Sequence, residues 1–266
     1  MKCGALFSEP DVRDYKLIYT APRTNFPKSF ALKMRGIKNQ GDVGSCVAHS
    51  LASIIEYYNF IQTGNTSEMS VGYIYGNRKT SNHKDSGMIM RDALEAVRQY
   101  GDVSNEMFPY NEEVPKATML FDRKYKQLFN KGYPNRITQY CRVDSPSAIK
   151  ASLMAGNPVL MAMMWYADME VVDGVLTTNK KGYDGGHCMF IYGWNEQGWR
   201  VQNSWGEEWG NNGCMIVPYD MPIEEFWTLT DNIINDTTVR KPYSSKPGKI
   251  IAKVINKVNK IFNKNN

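Results

Sequence analysis

Cys46 is the residue in this chain whose surroundings best suit nucleophilic chemistry. It stands at the predicted start of a helix, directly after the glycine-rich turn 41–45. Unpaired N–H groups and the helix dipole at such a position favour the thiolate, the reactive form of cysteine. Gln40, six residues upstream, supplies a side-chain amide. The pattern predicts an activated thiol with a donor beside it, although a buried cysteine without chemistry is the simpler interpretation of Cys46 alone.

A thiolate nucleophile needs a base, and the chain has only 3 histidines. We expect His49, one helical turn after Cys46, to be a packed or partly exposed helix residue, and His83 to lie in a solvated loop. His187 follows two glycines and enters an apolar strand, so it is the best candidate for the base. Asn203 ends the next predicted strand and could fix the orientation and tautomer of the imidazole.

Helices in the first half and strands in the second half would position these residues. Helical spacing of apolar residues, with glycine or proline at the ends, predicts helices over 46–63, 90–100, 117–129 and 146–155. Apolar or alternating runs predict strands over 137–143, 159–165, 188–193, 199–203 and 213–217. This segregation indicates an α+β fold with two lobes, and a site commonly lies between lobes.

Three segments resemble the motifs of papain-like cysteine peptidases, in the order that the family has them. They are the nucleophile loop at 38–48, the histidine strand at 186–193 and the asparagine loop at 202–210. The match extends from about Phe26 to Pro218. Because only 45 residues precede Cys46, we expect a bacterial or viral type of member without the long propeptide of many relatives.

The resemblance implies a role for each candidate residue. Cys46 would be the nucleophile, held as a thiolate beside the His187 imidazolium, and His187 would protonate the leaving amine and later activate water. Asn203 would orient His187, and Trp205 would shield their hydrogen bond from water. The Gln40 amide and the Cys46 backbone N–H would form the oxyanion hole.

The resemblance also implies the architecture around these residues. It implies a papain-like two-lobe α+β fold, with a helical N-terminal lobe, a β-barrel-like C-terminal lobe and the active site in the cleft between them. Gly87 and Gly186 would contact the substrate. The chemistry needs no cofactor, and we expect no metal ion, because no spacing of Cys and His matches a zinc ligand set.

We expect four segments along the chain. They are an N-terminal arm over 1–25, a helical lobe with the nucleophile helix over 26–113, a β-rich lobe with His187 and Asn203 over 114–220, and a C-terminal extension over 221–266.

The positive charge of the chain is concentrated in this extension. The net charge is +5, but the residues from Thr237 onwards hold eight Lys and Arg and no Asp or Glu, which leaves −3 for the rest. The body is therefore not expected to bind nucleic acid. Apolar residues within 249–264 form one helical stripe among lysines. This predicts a basic amphipathic helix for a membrane surface or a protein partner, or one that packs on the protein's own body or cleft.

Hydropathy excludes an integral membrane protein. Mean hydropathy is −0.48, and the longest apolar run, Val159 to Ala167, has nine residues where a bilayer span needs about 20. The first ten residues lack the apolar core of a signal peptide, and the 5 cysteines form no disulfide framework. We expect an intracellular location, in the cytoplasm or associated with a virion.

These observations predict a thiol-dependent peptidase that hydrolyses peptide or protein substrates through an acyl-enzyme on Cys46, with His187 as base and acid. Two alternatives stay open. One is a weak or inactive papain-like scaffold that serves as a structural or partner-binding protein anchored by its basic tail. The other is a cell-wall peptide amidase or transpeptidase with the same chemistry. The presence of all four residues, Gln40, Cys46, His187 and Asn203, favours an enzyme.

Overall fold

The computed structural model describes residues 3–12, 14–17, 26–78, 87–110 and 126–231. The predicted tail helix over 249–264 and most of the predicted helix over 117–129 lie outside these residues, as does His83.

Helices dominate the first half of the described chain. They are α1 (Cys46–Thr63), α2 (Val71–Gly76), α3 (Met90–Tyr100), α4 (Lys126–Gly132) and α5 (Pro146–Met154). Two helix ends match the sequence expectation: Gly64 ends α1 in the left-handed conformation, and the Ser145 side chain accepts a hydrogen bond from Ala148 N at the start of α5. No helix in the described part of the chain is long and apolar enough to cross a membrane.

Strands dominate the second half and form one large sheet. The strands are β1 (Ala5–Leu6), β2 (Phe30–Ala31), β3 (Met88–Ile89), β4 (Gln139–Arg142), β5 (Val159–Tyr166), β6 (Glu170–Val172), β7 (Val175–Thr177), β8 (Tyr183–Trp194), β9 (Gly198–Gln202), β10 (Cys214–Pro218) and β11 (Glu225–Thr230). The sheet order is β4-β11-β5-β8-β9-β10-β7-β6, with β2 on β8. β1 and β3 form a separate parallel pair.

The large sheet is open, which differs from the barrel-like lobe expected from the sequence. β4 and β6 lie at opposite ends of the strand order and do not pair within the described residues. β11 lies between β4 and β5 and pairs antiparallel with both. The first part of the segment 221–266 therefore belongs to the sheet.

Alternation along β5 and β8 places α1 against one face of the sheet. Leu160, Ala162, Cys188 and Phe190 belong to the apolar core that contains α1, and their neighbours Met161 and Met189 belong to a second core on the other face. α1 is buried from Cys46 to Asn59. The packing holds the first turn of α1 beside β8, the strand that carries His187.

Candidate active site

Cys46 is the first residue of α1, and its side chain is fully buried. Backbone hydrogen bonds from Cys188, Gly4 and Val47 reach the thiol and lower its pKa, but burial outweighs them and raises the pKa above its ordinary value. The start of the helix therefore supplies N–H donors, as the sequence predicted. In this closed environment they do not suffice to favour the thiolate.

The imidazole of His187 is fixed by Asn203. His187 Nε2 lies 2.8 Å from Asn203 Oδ1, and the same oxygen accepts a hydrogen bond of 2.8 Å from Ser204 N. Because the amide oxygen can only accept, Nε2 carries the hydrogen and Nδ1 keeps its lone pair. Nδ1 is buried and has no hydrogen-bond partner within the described residues. The arrangement leaves Nδ1 as the basic atom of the site.

Two indole rings enclose the imidazole. The Trp205 ring stacks on His187 with centroids 4.5 Å apart, and the Trp165 ring meets it edge-on at 5.2 Å. The sequence indicates a role for Trp205, whereas Trp165 is there only the last residue of the predicted strand 159–165. Together they remove the His187–Asn203 hydrogen bond from water.

Burial also sets the protonation state of the base. It lowers the pKa of His187 to about 4, against the opposing effect of the hydrogen bond to Asn203. With the pKa of Cys46 raised, the neutral thiol and neutral imidazole are favoured here over the expected thiolate–imidazolium pair. The cause is the exclusion of water, which disfavours both charged forms.

Gln40, the predicted oxyanion donor, is held by the asparagine loop. Its Oε1 accepts a hydrogen bond of 2.8 Å from Ser204 Oγ, which fixes the orientation of the amide, and its Nε2 donates to Val43 O at 2.8 Å. Gln40 N also donates to Ser204 O at 2.9 Å. The nucleophile loop and the asparagine loop are thus joined through Ser204, a residue to which the sequence analysis gave no role.

The two glycines assigned to substrate contact both lie against the N-terminal segment of the chain. A Cβ on Gly87 would come within 2.5 Å of Gly4 O, and a Cβ on Gly186 would collide with Ala5 O. Gly4 O accepts a hydrogen bond of 2.9 Å from Met88 N. Gly4 also packs so closely on Gly44 that a Cβ there would overlap the Gly44 carbonyl. An extended piece of the chain therefore occupies the cleft beside Cys46.

Charged residues hold this segment in place at Ser8. Ser8 N donates to Glu225 Oε1 at 3.2 Å, and Ser8 O accepts from Arg142 Nη2 at 3.0 Å. Arg142 and Arg91 both pair with Asp14, at 2.9 and 2.6 Å. The sequence predicts only an extended arm here. The one signal of close packing in it is the run of small residues from Cys3 to Ala5.

All five cysteines carry free thiols: Cys3, Cys46, Cys141, Cys188 and Cys214. The described residues therefore contain no disulfide. No group of three or more metal-ligating side chains occurs in the described ranges.

Comparison with known proteins identifies the family. A family model described as papain family cysteine protease matches residues 26–222. The chain belongs to the papain family of cysteine proteases. A peptidase C1-like protein of Acanthamoeba polyphaga mimivirus is 27% identical over 228 residues, which are 74% of this chain and 71% of that protein. Procathepsin L of Rattus norvegicus is 25% identical over 239 residues, 82% of this chain but 65% of the relative.

Solved structures of the papain family share the fold. Xylellain, a cysteine protease from Xylella fastidiosa, superposes with a TM-score of 0.72 at 21% identity, over 86% of this chain and 95% of that one. The two-lobe α+β class predicted from the sequence is confirmed.

The buried histidines predict acid sensitivity of the fold. Burial lowers the pKa of both His49 and His187 to about 4, against about 6.5 in an unfolded chain. Above pH 6.5 neither state is charged, and as the pH falls towards 4 only the unfolded chain gains protons. Each histidine should then cost on the order of 3 kcal/mol of folding free energy across this window.

Urea unfolding at pH 7.5 and pH 4.5 measures this cost. The carboxylates contribute equally to the pH dependence of the parent chain and of His49→Phe. The part of the loss in unfolding free energy that is due to buried histidines should therefore be about half as large in the variant as in the parent chain. Identical pH dependence in the two proteins would contradict the burial of a neutral His49.

Proposed function

We propose that this chain hydrolyses peptide bonds in peptide or protein substrates through an acyl-enzyme on Cys46. The observation that carries the proposal is the extended segment in the cleft. The backbone of Gly4 and Ala5 lies against Gly87 and Gly186 and bonds to Met88 N beside the thiol. A cleft that holds the backbone of an extended peptide at a cysteine, histidine and asparagine suits peptide hydrolysis.

The proposed reaction gives each of these residues a step. Nδ1 of His187 takes the proton of Cys46, and the sulfur attacks the substrate carbonyl carbon. The negative oxygen that forms is stabilised by hydrogen bonds from the Gln40 amide and the Cys46 backbone N–H. His187 then gives its proton to the leaving amine, activates a water that attacks the thioester, and releases the acid and the thiol. Asn203 keeps Nε2 protonated throughout.

The family comparisons do not favour the two alternatives. The named relatives are peptidases, and the fixed amide of Gln40 and the oriented His187 are of no use to an inactive scaffold. A cell-wall amidase would use the same residues, so a panel of peptide and cell-wall substrates separates it from a peptidase.

We further propose that residues 3–8 keep the site closed. The segment covers Cys46, excludes water from the thiol and His187, and thereby favours their neutral forms. Its release would admit both substrate and solvent, and would raise the pKa of His187 towards its ordinary value.

Substitution of Gly4 tests this closed state. A Cβ at Gly4 has no room against Gly44, so Gly4→Ala should displace the segment and raise peptide hydrolysis by at least tenfold. Gly36→Ala is the matched control, because a Cβ at Gly36 meets nothing within 4 Å. Equal rates for the two variants, or a slower Gly4→Ala variant, would show that the segment does not block the site.

The catalytic assignment is tested in the Gly4→Ala background with an epoxide thiol-protease inhibitor, read by mass. Cys46 should be labelled stoichiometrically and far faster than Cys141, since His187 is the proposed base for Cys46. Added Cys46→Ala should abolish both labelling and hydrolysis, whereas Asp173→Asn, on an exposed turn, should change neither. Labelling of Cys46 that persists undiminished in a His187→Ala variant would contradict His187 as the base.

We also propose a division of the chain and a location. The arm ends near residue 25 and the helical lobe near residue 113, and the β-rich lobe extends past residue 220 to include β11 (Glu225–Thr230). The free thiols of the described cysteines suit a reducing cell interior or a virion.

The basic extension supplies a test of membrane association. We propose that residues 249–264 bind an anionic membrane surface, because their apolar stripe is flanked by lysines. The full chain should float with vesicles that contain phosphatidylserine, and a chain ending at Thr238 should not. Vesicles of phosphatidylcholine alone are the control. Equal flotation of the two chains, or none, would overturn the membrane proposal and favour a protein partner or the protein's own body.

A further inference from the structure

His49 is a buried titratable residue that the proposed reaction does not use. It lies three residues after Cys46 in α1 and is 2% exposed. The ring meets Tyr110 edge-on, with centroids 5.0 Å apart. If His49 served only for packing, any ring of similar size could replace it. Its polar contacts therefore decide whether it has a further role.

The ring contacts the last residue of the loop 39–45, the part of the nucleophile loop that precedes α1. His49 Nδ1 lies 3.1 Å from Ser45 O and 3.2 Å from Ser45 Oγ. The backbone carbonyls of Ser45 and Asn39 raise the pKa of the ring. Burial and the nearby Lys38 charge lower the pKa of His49 to about 4 in spite of these carbonyls. The ring is therefore neutral at ordinary pH and acts as a fixed donor and acceptor.

A second set of hydrogen bonds extends the contact to Gln40. Ser45 Oγ lies 2.9 Å from Tyr110 Oη, and Tyr110 Oη donates to Gln40 O at 3.3 Å. Ser45 is the N-cap residue of α1, yet its side chain does not cap the helix. Its hydroxyl is used instead to join His49, Tyr110 and the loop.

The loop has hydrogen bonds of its own, and His49 adds a contact from outside it. Gln40 Nε2 and Ser45 N both donate to Val43 O at 2.8 Å, and Gly41, with φ of 58°, is in a conformation that glycine adopts at no steric cost. Ser204 holds the side chain of Gln40. His49 is connected to the backbone carbonyl of Gln40 through Ser45 Oγ and Tyr110 Oη.

We infer that His49 is a positioning residue that keeps the loop 39–45, and through it the Gln40 amide, in the geometry of an oxyanion hole. The inference rests on the proposed peptidase function for its kinetic consequence. It does not make His49 a catalytic residue, since the ring acts only through the loop.

The kinetic experiment compares two substitutions in the Gly4→Ala background. His49→Phe keeps the ring and its packing on Tyr110 but removes the N–H and the lone pair, and should lower kcat about tenfold with KM within twofold. His49→Gln keeps a donor and an acceptor and should recover most of kcat. Loss of one oxyanion donor typically costs about 10²–10³ in rate, so a misplaced donor should cost less.

A double-mutant cycle with Gln40→Ala identifies the route of the effect. If His49 acts through Gln40, His49→Phe should have no further effect on kcat in the Gln40→Ala background. The rate of Cys46 alkylation by iodoacetamide, which needs no oxyanion hole, should be unchanged. Additive losses of kcat, or equal activity of His49→Phe and the unsubstituted His49 protein, would overturn the inference.

Hydrogen exchange keeps the inference testable even if no substrate is cleaved. By mass spectrometry, the amides of residues 39–45 should exchange faster in His49→Phe than in the parent chain, with exchange in residues 54–63 of α1 unchanged. Unchanged exchange in the loop would refute the positioning role. Faster exchange in the loop together with no turnover in the Gly4→Ala background would refute the proposed function alone.

Discussion

The site depends on the burial of α1 against β8. Ser50 Oγ, one turn into the helix, donates to Cys188 O at 3.3 Å, and the Cys46 thiol meets the backbone of the same residue. The first turn of α1 is therefore held against β8, the strand that carries His187. The packing of one apolar helix on one strand fixes where Cys46 lies relative to that strand.

The same burial explains the electrostatics of the site. An enclosed thiol and an enclosed imidazole each resist their charged form, and here the segment around Gly4 completes the enclosure. Removal of water raises the pKa of Cys46 without an acidic neighbour. The charged cluster of Asp14, Arg91 and Arg142 lies at the other end of the segment, where it anchors the chain and leaves the reacting atoms in an apolar setting.

Much of the fold could be predicted from the sequence, as could the contact of His187 with Asn203 and Trp205. Glycines such as Gly64 end helices for local steric reasons, and the alternation along β5 is a local pattern, so both can be recognised in the sequence. The role of Ser204 and the position of Gly4 cannot be recognised there, because each depends on a partner more than 35 residues away. The closure of the sheet was also mispredicted. β11 pairs by backbone hydrogen bonds with β4 and β5, which lie far earlier in the chain. Backbone pairing leaves no periodic pattern in the sequence, so the sequence does not show that β4 and β6, at the two ends of the sheet, stay unpaired with each other.

The spacing between Gly4 and Ser8 has a consequence for how the arm can vary. Successive residues of an extended segment face opposite sides, and Ser8 is fixed by Glu225 and Arg142. Loss or gain of one residue between the two positions would turn a side chain towards Gly44, where only a hydrogen atom fits. The number of residues between Gly4 and Ser8 is therefore constrained as tightly as the type of residue at position 4. Insertions and deletions in the arms of related proteins should fall outside residues 4–8.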